Sequence, residues 1–199
     1  MGTLQHFSLD WIRESHGLKS FVETGTGEGA AVRQALLSGF KSIHSIELVP
    51  ELAAAARAKF SRHPEVHIHC GESAELLTGI LKQLPEGPAL FWLDAHFPGA
   101  DYGMGEYEGD PDVGRRLPLA REVEVIKAAR KGERDVILID DARIYQPGPY
   151  GSGNLPDNWP PLAGLKRSLD FVKGAFAATH GIVIDYRDQG YVMVTPHAT

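Results

Sequence analysis

The sequence predicts an α/β domain with a doubly wound, mostly parallel sheet of seven strands, helices on both faces and an antiparallel hairpin at the end. Three observations carry this. Short apolar runs alternate with helix-like stretches five times, the signature of β-α units that build a parallel sheet. The last twenty residues instead hold two β-rich runs joined by a short turn, a hairpin signal. Between the first strand and the first helix lies Phe21-Val-Glu-Thr-Gly-Thr-Gly-Glu-Gly-Ala30. Its alternate glycines let backbone pass close to a ligand, with no Cβ in the way.

The expected strands are Ser20–Glu23, Ser42–Glu47, Val66–Cys70, Ala89–Asp94 and Val136–Asp140. Between them the pattern predicts helices at Ala30–Ser38, Pro50–Ser61, Ser73–Gln83 and Pro118–Lys131. Pro50 suits a first helical turn and Glu51 the positive end of the helix dipole, while Leu52 to Ala58 is rich in alanine, the best helix former. A helix over Leu162–Thr179 leads into the hairpin strands Gly181–Tyr186 and Tyr191–Pro196, joined by Arg187-Asp-Gln-Gly190. Phe97–Leu117 and Ala142–Pro161 take no regular assignment. Connections of that length are usually functional. Both follow a strand ending in aspartate, so both leave the carboxyl edge of the sheet, where ligands bind in this architecture. They read as walls or a lid over a substrate.

A chain of 199 residues makes one domain, 1–199, with room for a proper core. Twenty Lys and Arg against 26 Asp and Glu leave a formal charge of −6. That offers no basic field for nucleic acid. The single cysteine, Cys70, forms no internal disulfide, as expected in a reducing cytoplasm. No run has membrane-spanning length. The expected partner is a small molecule, and a homo-oligomer is left open.

The glycine loop alone admits two cofactors. Gly25-Thr-Gly27-Glu-Gly29-Ala30 fits the dinucleotide pattern, with Glu47 where a ribose-binding acid belongs. A dinucleotide, however, would lay its pyrophosphate beside Glu23 and Glu28, and these carboxylates would repel it. S-adenosylmethionine carries no phosphate and presents a sulfonium and an ammonium, so an acid at Glu23 favours it. A nicotinamide oxidoreductase is the alternative on this evidence, and a noncatalytic binding module of the same fold is another.

The run Glu23-Thr-Gly25-Thr-Gly27-Glu-Gly29 resembles motif I of class I S-adenosylmethionine-dependent methyltransferases. His44-Ser-Ile-Glu47 resembles their second motif, whose acid holds the ribose hydroxyls, and Gly71-Glu72-Ser73 the turn that meets the adenine. The resemblance spans nearly the whole chain and implies a Rossmann-like fold. It places Glu23, Gly25, Thr26, Gly27, Gly29, Glu47, Glu72, Ser73 and Asp94 around the cofactor. Two of these have plainer readings: Glu47 as a strand-end acid and Ser73 as a helix N-cap.

Leu93-Asp94-Ala-His96 closes the fourth strand and Ile139-Asp140-Asp141 the fifth. In the methyltransferase topology these strands are neighbours, so three carboxylates and an imidazole would converge. Such acids repel one another unless something positive lies between them; a divalent cation such as Mg2+ would serve. The arrangement resembles the metal-dependent sugar O-methyltransferases of the macrocin O-methyltransferase type. Carried over, the metal ligands are Asp94, Asp140 and Asp141. The family's second acid of the fourth-strand motif, its candidate base, is here His96, and a neutral imidazole is a suitable proton acceptor near pH 7. His96 and Asp94 are therefore the candidate catalytic residues. Asp140–Asp141 also read as a strand-end turn. A base-amine methyltransferase of nucleic acids would carry Asn/Asp-Pro-Pro-aromatic where this chain has Asp94-Ala-His-Phe97.

Other signals are weaker. Arg143 and Tyr145 would contact a substrate or pair with a nearby carboxylate, and Trp159 would cover a ring-shaped one. Phe91 and Trp92 read as core. His67-x-His69-Cys70 has no second cluster at finger spacing, which argues against a structural zinc site.

Overall fold

The computed structural model describes residues 3–108 and 110–198; the ends of the expected domain 1–199 and one position of the expected loop 97–117 lie outside them. Its strands are β1 (Ser20–Thr24), β2 (Ile43–Glu47), β3 (Val66–Cys70), β4 (Ala89–Leu93), β5 (Val136–Ile139), β6 (His180–Asp185) and β7 (Tyr191–Pro196). They form one sheet in the order β3-β2-β1-β4-β5-β7-β6. Pairing from β3 through β5 is parallel, and only β7 runs against its neighbours. The expected seven-stranded Rossmann-like sheet with an antiparallel final hairpin is the one observed. Strand order reverses between β1 and β4, which opens a crevice at their carboxyl ends. Every residue of β1, β2, β4 and β5 is buried, as befits parallel strands covered on both faces.

The helices are α1 (Leu9–His16), α2 (Ala30–Leu37), α3 (Pro50–Lys59), α4 (Ser73–Leu81), α5 (Val113–Arg116), α6 (Leu119–Ala129) and α7 (Asp170–Phe176). On one face α1, α2 and α3 bring Leu9, Val32 and Ala53 against Phe21, Ile43 and Leu90. On the other, α4, α6 and α7 bring Leu77, Ile126 and Val172 against Val22, Phe91 and Ile137. Phe91 and Trp92 are buried on opposite faces. Among the described residues no helix is long and apolar enough to cross a membrane.

One helical expectation changes, the stretch 97–117 that took no regular assignment holds α5 (Val113–Arg116), and a further helix precedes β1. The N-terminal segment contains α1, whose Leu9 and Ile12 are buried and whose end is fixed by Gly17 in the left-handed conformation (φ 63°). The helix expected over Leu162–Thr179 is reduced to a 3-10 turn, Pro160–Leu162, and the short α7. Gly164 between them adopts φ 82°, which a continuous right-handed helix does not allow.

The two long connections are tied to each other. Arg116, buried, donates from Nε to the Pro161 carbonyl (3.1 Å), from Nη2 to that of Ala163 (3.2 Å) and from Nη1 to that of Asp110. Arg167 likewise donates to the carbonyls of Arg143 (2.7 Å) and Ile144 (3.1 Å). Phe97, Tyr107 and Trp159 meet with ring centroids 5.3–5.7 Å apart. Trp159, expected as an exposed cover, is half-buried in that cluster.

Candidate active site at the carboxyl edge of the sheet

The strand tips open into a crevice of about 780 Å³, mouth included, lined by Gly25, Gly27, Glu47, Gly71, Glu72, Ser73, Asp94 and His96 together with apolar Leu48 and Leu52. A second recess, lined by Glu23, Thr26, Gln34 and Trp92, shares Gly25, Asp94, Asp101 and Tyr102 with the first. The glycines are needed there. At Gly25 (φ 85°) a Cβ would lie 2.7 Å from the Asp94 carbonyl oxygen, and at Gly27 (φ 48°) 1.9 Å from the Tyr102 hydroxyl. Gly29 has a different reason: its would-be Cβ meets Phe60 at 2.5 Å, so it packs the start of α2 against α3.

The acids of the first two strands are already engaged. Glu47 accepts from the Gly27 N–H (2.8 Å) and the Val49 N–H (2.9 Å), one on each carboxylate oxygen. Glu23 is buried and accepts from the Ser45 hydroxyl at 2.5 Å; the Ser45 hydroxyl lies 2.6 Å from that of Thr26. Burial pushes the Glu23 carboxyl up to about 8, against the pull of Ser45 and with a smaller push from Glu47. Glu72 is held by Arg115 (2.7 Å) and Arg121 (3.3 Å). Ser73 opens α4 without capping it and donates its hydroxyl to Glu122 of α6 instead. Burial raises Glu122 to about 7, opposed by the hydrogen bond from Ser73.

Beyond β4 and β5 the chain gathers Asp94, His96 and Asp140, each with one ligand-capable atom within 4.8 Å of the others. His96 Nδ1 lies 3.5 Å from Asp94 Oδ1, and His96 Nε2 lies 3.8 Å from Asp141 Oδ2. Asp141, also buried, gives its other oxygen to Arg143 Nε at 2.9 Å. Both oxygens of buried Asp140 lack a donor among the described residues. Burial first, and the facing Asp140 charge second, hold Asp94 well above the usual carboxylate range. Burial also raises Asp140. The two carboxyls face each other, so a proton or a cation belongs between them. The backbone is strained at the same place: Phe97 (φ 47°) and Asp141 (φ 50°) are left-handed without being glycine.

Of the expected ligand set, Asp94 and Asp140 come together, and His96 joins them where Asp141 was expected. Of the expected substrate contacts, Arg143 pairs with Asp141 and Tyr145 is buried in the core. Tyr102, Arg115, Arg121 and Glu122 reach the site from loop and helix positions that no local motif marks. Buried oxygens without donors, beside an imidazole, fit a divalent cation.

The fold is that of class I methyltransferases. A Staphylococcus aureus protein carrying a caffeoyl-CoA O-methyltransferase assignment superposes with a TM-score of 0.66 at 13% identity, over 99% of this chain and 85% of that one. The O-methyltransferase TomG from Streptomyces achromogenes, involved in tomaymycin synthesis and solved in complex with S-adenosylmethionine, gives 0.59 at 13% identity, over 100% of this chain and 82% of TomG. The 23S rRNA methyltransferase ErmE gives 0.53 at 14% identity, over 100% of this chain and 70% of that one. No family model matches the sequence, and no curated protein matches it.

Proposed function

We propose that the protein is an S-adenosylmethionine-dependent O-methyltransferase acting on a small hydroxylated molecule. One observation carries the reading: a glycine groove walled by the acids Glu23 and Glu47 ends beside the Asp94–His96–Asp140 cluster. A sulfonium and an ammonium suit these acids and would draw off the proton that burial keeps on Glu23, whereas a pyrophosphate would gain nothing from either. Glu47 would hold the ribose hydroxyls, Leu48 and Leu52 one face of the adenine, and Ser73 its edge. The joined recesses would run the cofactor beneath Tyr102, its amino-acid end toward Glu23.

His96 would take the proton of the acceptor hydroxyl, with Asp94 3.5 Å from its Nδ1 to orient the ring. The acceptor oxygen then attacks the sulfonium methyl in line. The C–S pair stays on sulfur, and S-adenosylhomocysteine leaves as a neutral thioether. Most of the acceleration comes from alignment of oxygen, methyl and sulfur. Asp140 and Asp94 would hold a divalent metal such as Mg2+, which when bound makes an acceptor hydroxyl more acidic, while the one lone pair of His96 is kept for the proton. The loops joined by Arg116 wall the acceptor side and exclude water. A fold shared by small-molecule and rRNA enzymes selects no substrate; the net charge of −6 favours the small molecule.

The test is calorimetry with S-adenosylhomocysteine and NAD, followed by an assay of S-adenosylhomocysteine release over a panel of hydroxylated compounds with and without Mg2+. Binding of S-adenosylhomocysteine but not NAD, with metal-stimulated turnover, is the expected outcome. NAD binding alone overturns the cofactor. Cofactor binding without turnover on any acceptor leaves the noncatalytic module.

A further inference from the structure

One group of side chains has no part in that chemistry. His44 of β2 lies opposite His67 of the edge strand β3, and the next residue but one, His69, lies opposite Ile46. Residues two apart on a strand share a face, so three imidazoles gather on one side of the sheet edge. The His44 and His69 rings meet nearly end to end, their planes 10° apart and centroids 5.4 Å apart, and the His67 ring centroid is 4.8 Å from that of His44. His44 Nδ1 lies 3.2 Å from His69 Nε2. The His44 side chain is buried, His69 half-buried and His67 exposed.

We propose that His44 and His69, with exposed His67 beside them, form a binding site for a divalent transition-metal ion of the zinc, nickel or copper type, which clamps the edge strand β3 to β2. The nitrogen donors select the ion class, because imidazole suits these metals whereas Mg2+ prefers oxygen. The spacing suits them too. Two Zn–N bonds of about 2.0–2.1 Å across a 3.2 Å gap enclose an angle of roughly 100–106°, near the tetrahedral value, once the two rings tilt from their end-to-end contact to aim both lone pairs at the ion. The same gap accommodates a single hydrogen-bond proton, and a metal ion replaces that proton. Burial and the neighbouring imidazoles hold His44 down at about 4 and lower His69, so both rings are neutral and have lone pairs to offer at pH 7. His67 lies on the surface, where its ring turns at little cost to supply a third donor, and water completes the shell. The sequence alone showed His67 and His69 without the partner from the neighbouring strand. With His44 the set becomes an open site at a sheet edge, unlike a closed zinc finger.

Thermal shift and calorimetry on the full chain with Zn2+, and electron paramagnetic resonance with Cu2+, test this. The expected result is one tight equivalent of Cu2+ with hyperfine couplings from at least two nitrogens, and a melting temperature raised by Zn2+. Measured in an Asp140→Asn background, which removes the cation cluster at the strand tips, His69→Gln should weaken Zn2+ at least tenfold and His67→Ala about threefold. Circular dichroism establishes that each variant is folded. If His69→Gln is unfolded, the nitrogen couplings of the Asp140→Asn chain decide. In the Asp140→Asn background, Cu2+ without coupling to at least two nitrogens, or Zn2+ affinity equal in His69→Gln, would each overturn the site.

Discussion

The two halves of the crevice treat their acids differently. At the tips of β1 and β2 the carboxylates have their donors: Glu47 takes two backbone N–H groups and Glu23 a serine hydroxyl. At the tips of β4 and β5, Asp140 has none, Asp94 faces it, and Phe97 and Asp141 sit in left-handed backbone. The first half is a cradle complete before any ligand arrives. The second is held in a costly state that a proton or a cation relieves, which is the expected condition of a reacting centre. Substitutions in the two halves should therefore act in opposite directions.

Asp140→Asn gives the largest effect on turnover. Losing the carboxylate should lower methyl transfer by about 10²–10⁴-fold, leave S-adenosylhomocysteine affinity within a few-fold, and raise the melting temperature, because an undonated buried carboxyl is removed. Glu47→Ala should do the reverse to the scaffold. It strands two backbone donors, and at about 1–3 kcal/mol per unsatisfied group the stability falls by about 2–6 kcal/mol, with cofactor affinity lost as well. Urea unfolding and calorimetry read both. A stabilised Glu47→Ala or a destabilised Asp140→Asn would break the contrast.

The glycines sharpen it further. Gly25→Ala meets the Asp94 carbonyl at 2.7 Å, and backbone there has nowhere to go, so a loss of about 3 kcal/mol or more is expected. Gly27→Ala meets only the hydroxyl end of Tyr102. Tyr102 sits on a loop turn and can swing away, leaving chiefly the left-handed penalty of about 1–2 kcal/mol. Equal losses in denaturant would place Tyr102 among the immovable parts.

Protonation gives a smaller, graded effect. Glu23 and Glu122 are raised from ordinary carboxyl values to about 8 and about 7, so the folded chain keeps protons that the unfolded chain releases. Their contribution is fully present below about pH 4.5 and is lost as pH rises through 7 and 8. The melting temperature of the ligand-free protein should fall between pH 5.5 and 8.5, and Glu23→Gln, which keeps the shape without the charge, should flatten that fall. An unchanged slope in Glu23→Gln would show that Glu23 ionises freely in the fold.

What the sequence made legible follows from which interactions are local. Strand positions, the reversal at Gly25 and the acids at the tips of β1, β2, β4 and β5 are written in short windows of apolar alternation and turn chemistry. The helix over 162–179 was misread because its apolar spacing continues through Gly164, whose φ of 82° interrupts it only in the folded chain. The N-terminal α1 shows its buried face, Leu9 and Ile12, only against the sheet. Glu122, Tyr102 and the His44–His69 pair depend on approaches between residues 49, 75 and 25 positions apart. No motif encodes such distances.

Asp141 is where the family resemblance and the geometry part, and a modest effect can decide its role. The resemblance makes it a metal ligand, yet its Oδ1 is committed to Arg143 at 2.9 Å and its Oδ2 lies 3.8 Å from His96. If Asp141 joins the metal set on binding, Arg143 competes with the cation for it. Arg143→Ala then frees a further acid for the site, and since carboxylate count tunes divalent affinity, Mg2+ binding should tighten about threefold. Adding Asp141→Asn should abolish that gain. If Asp141 serves only to turn His96, Arg143→Ala will leave Mg2+ affinity unchanged and instead shift the pH profile of turnover, because the imidazole then faces a carboxylate no longer balanced by a guanidinium. Calorimetry and a pH-rate profile on the same two variants separate a ligand from a positioning residue.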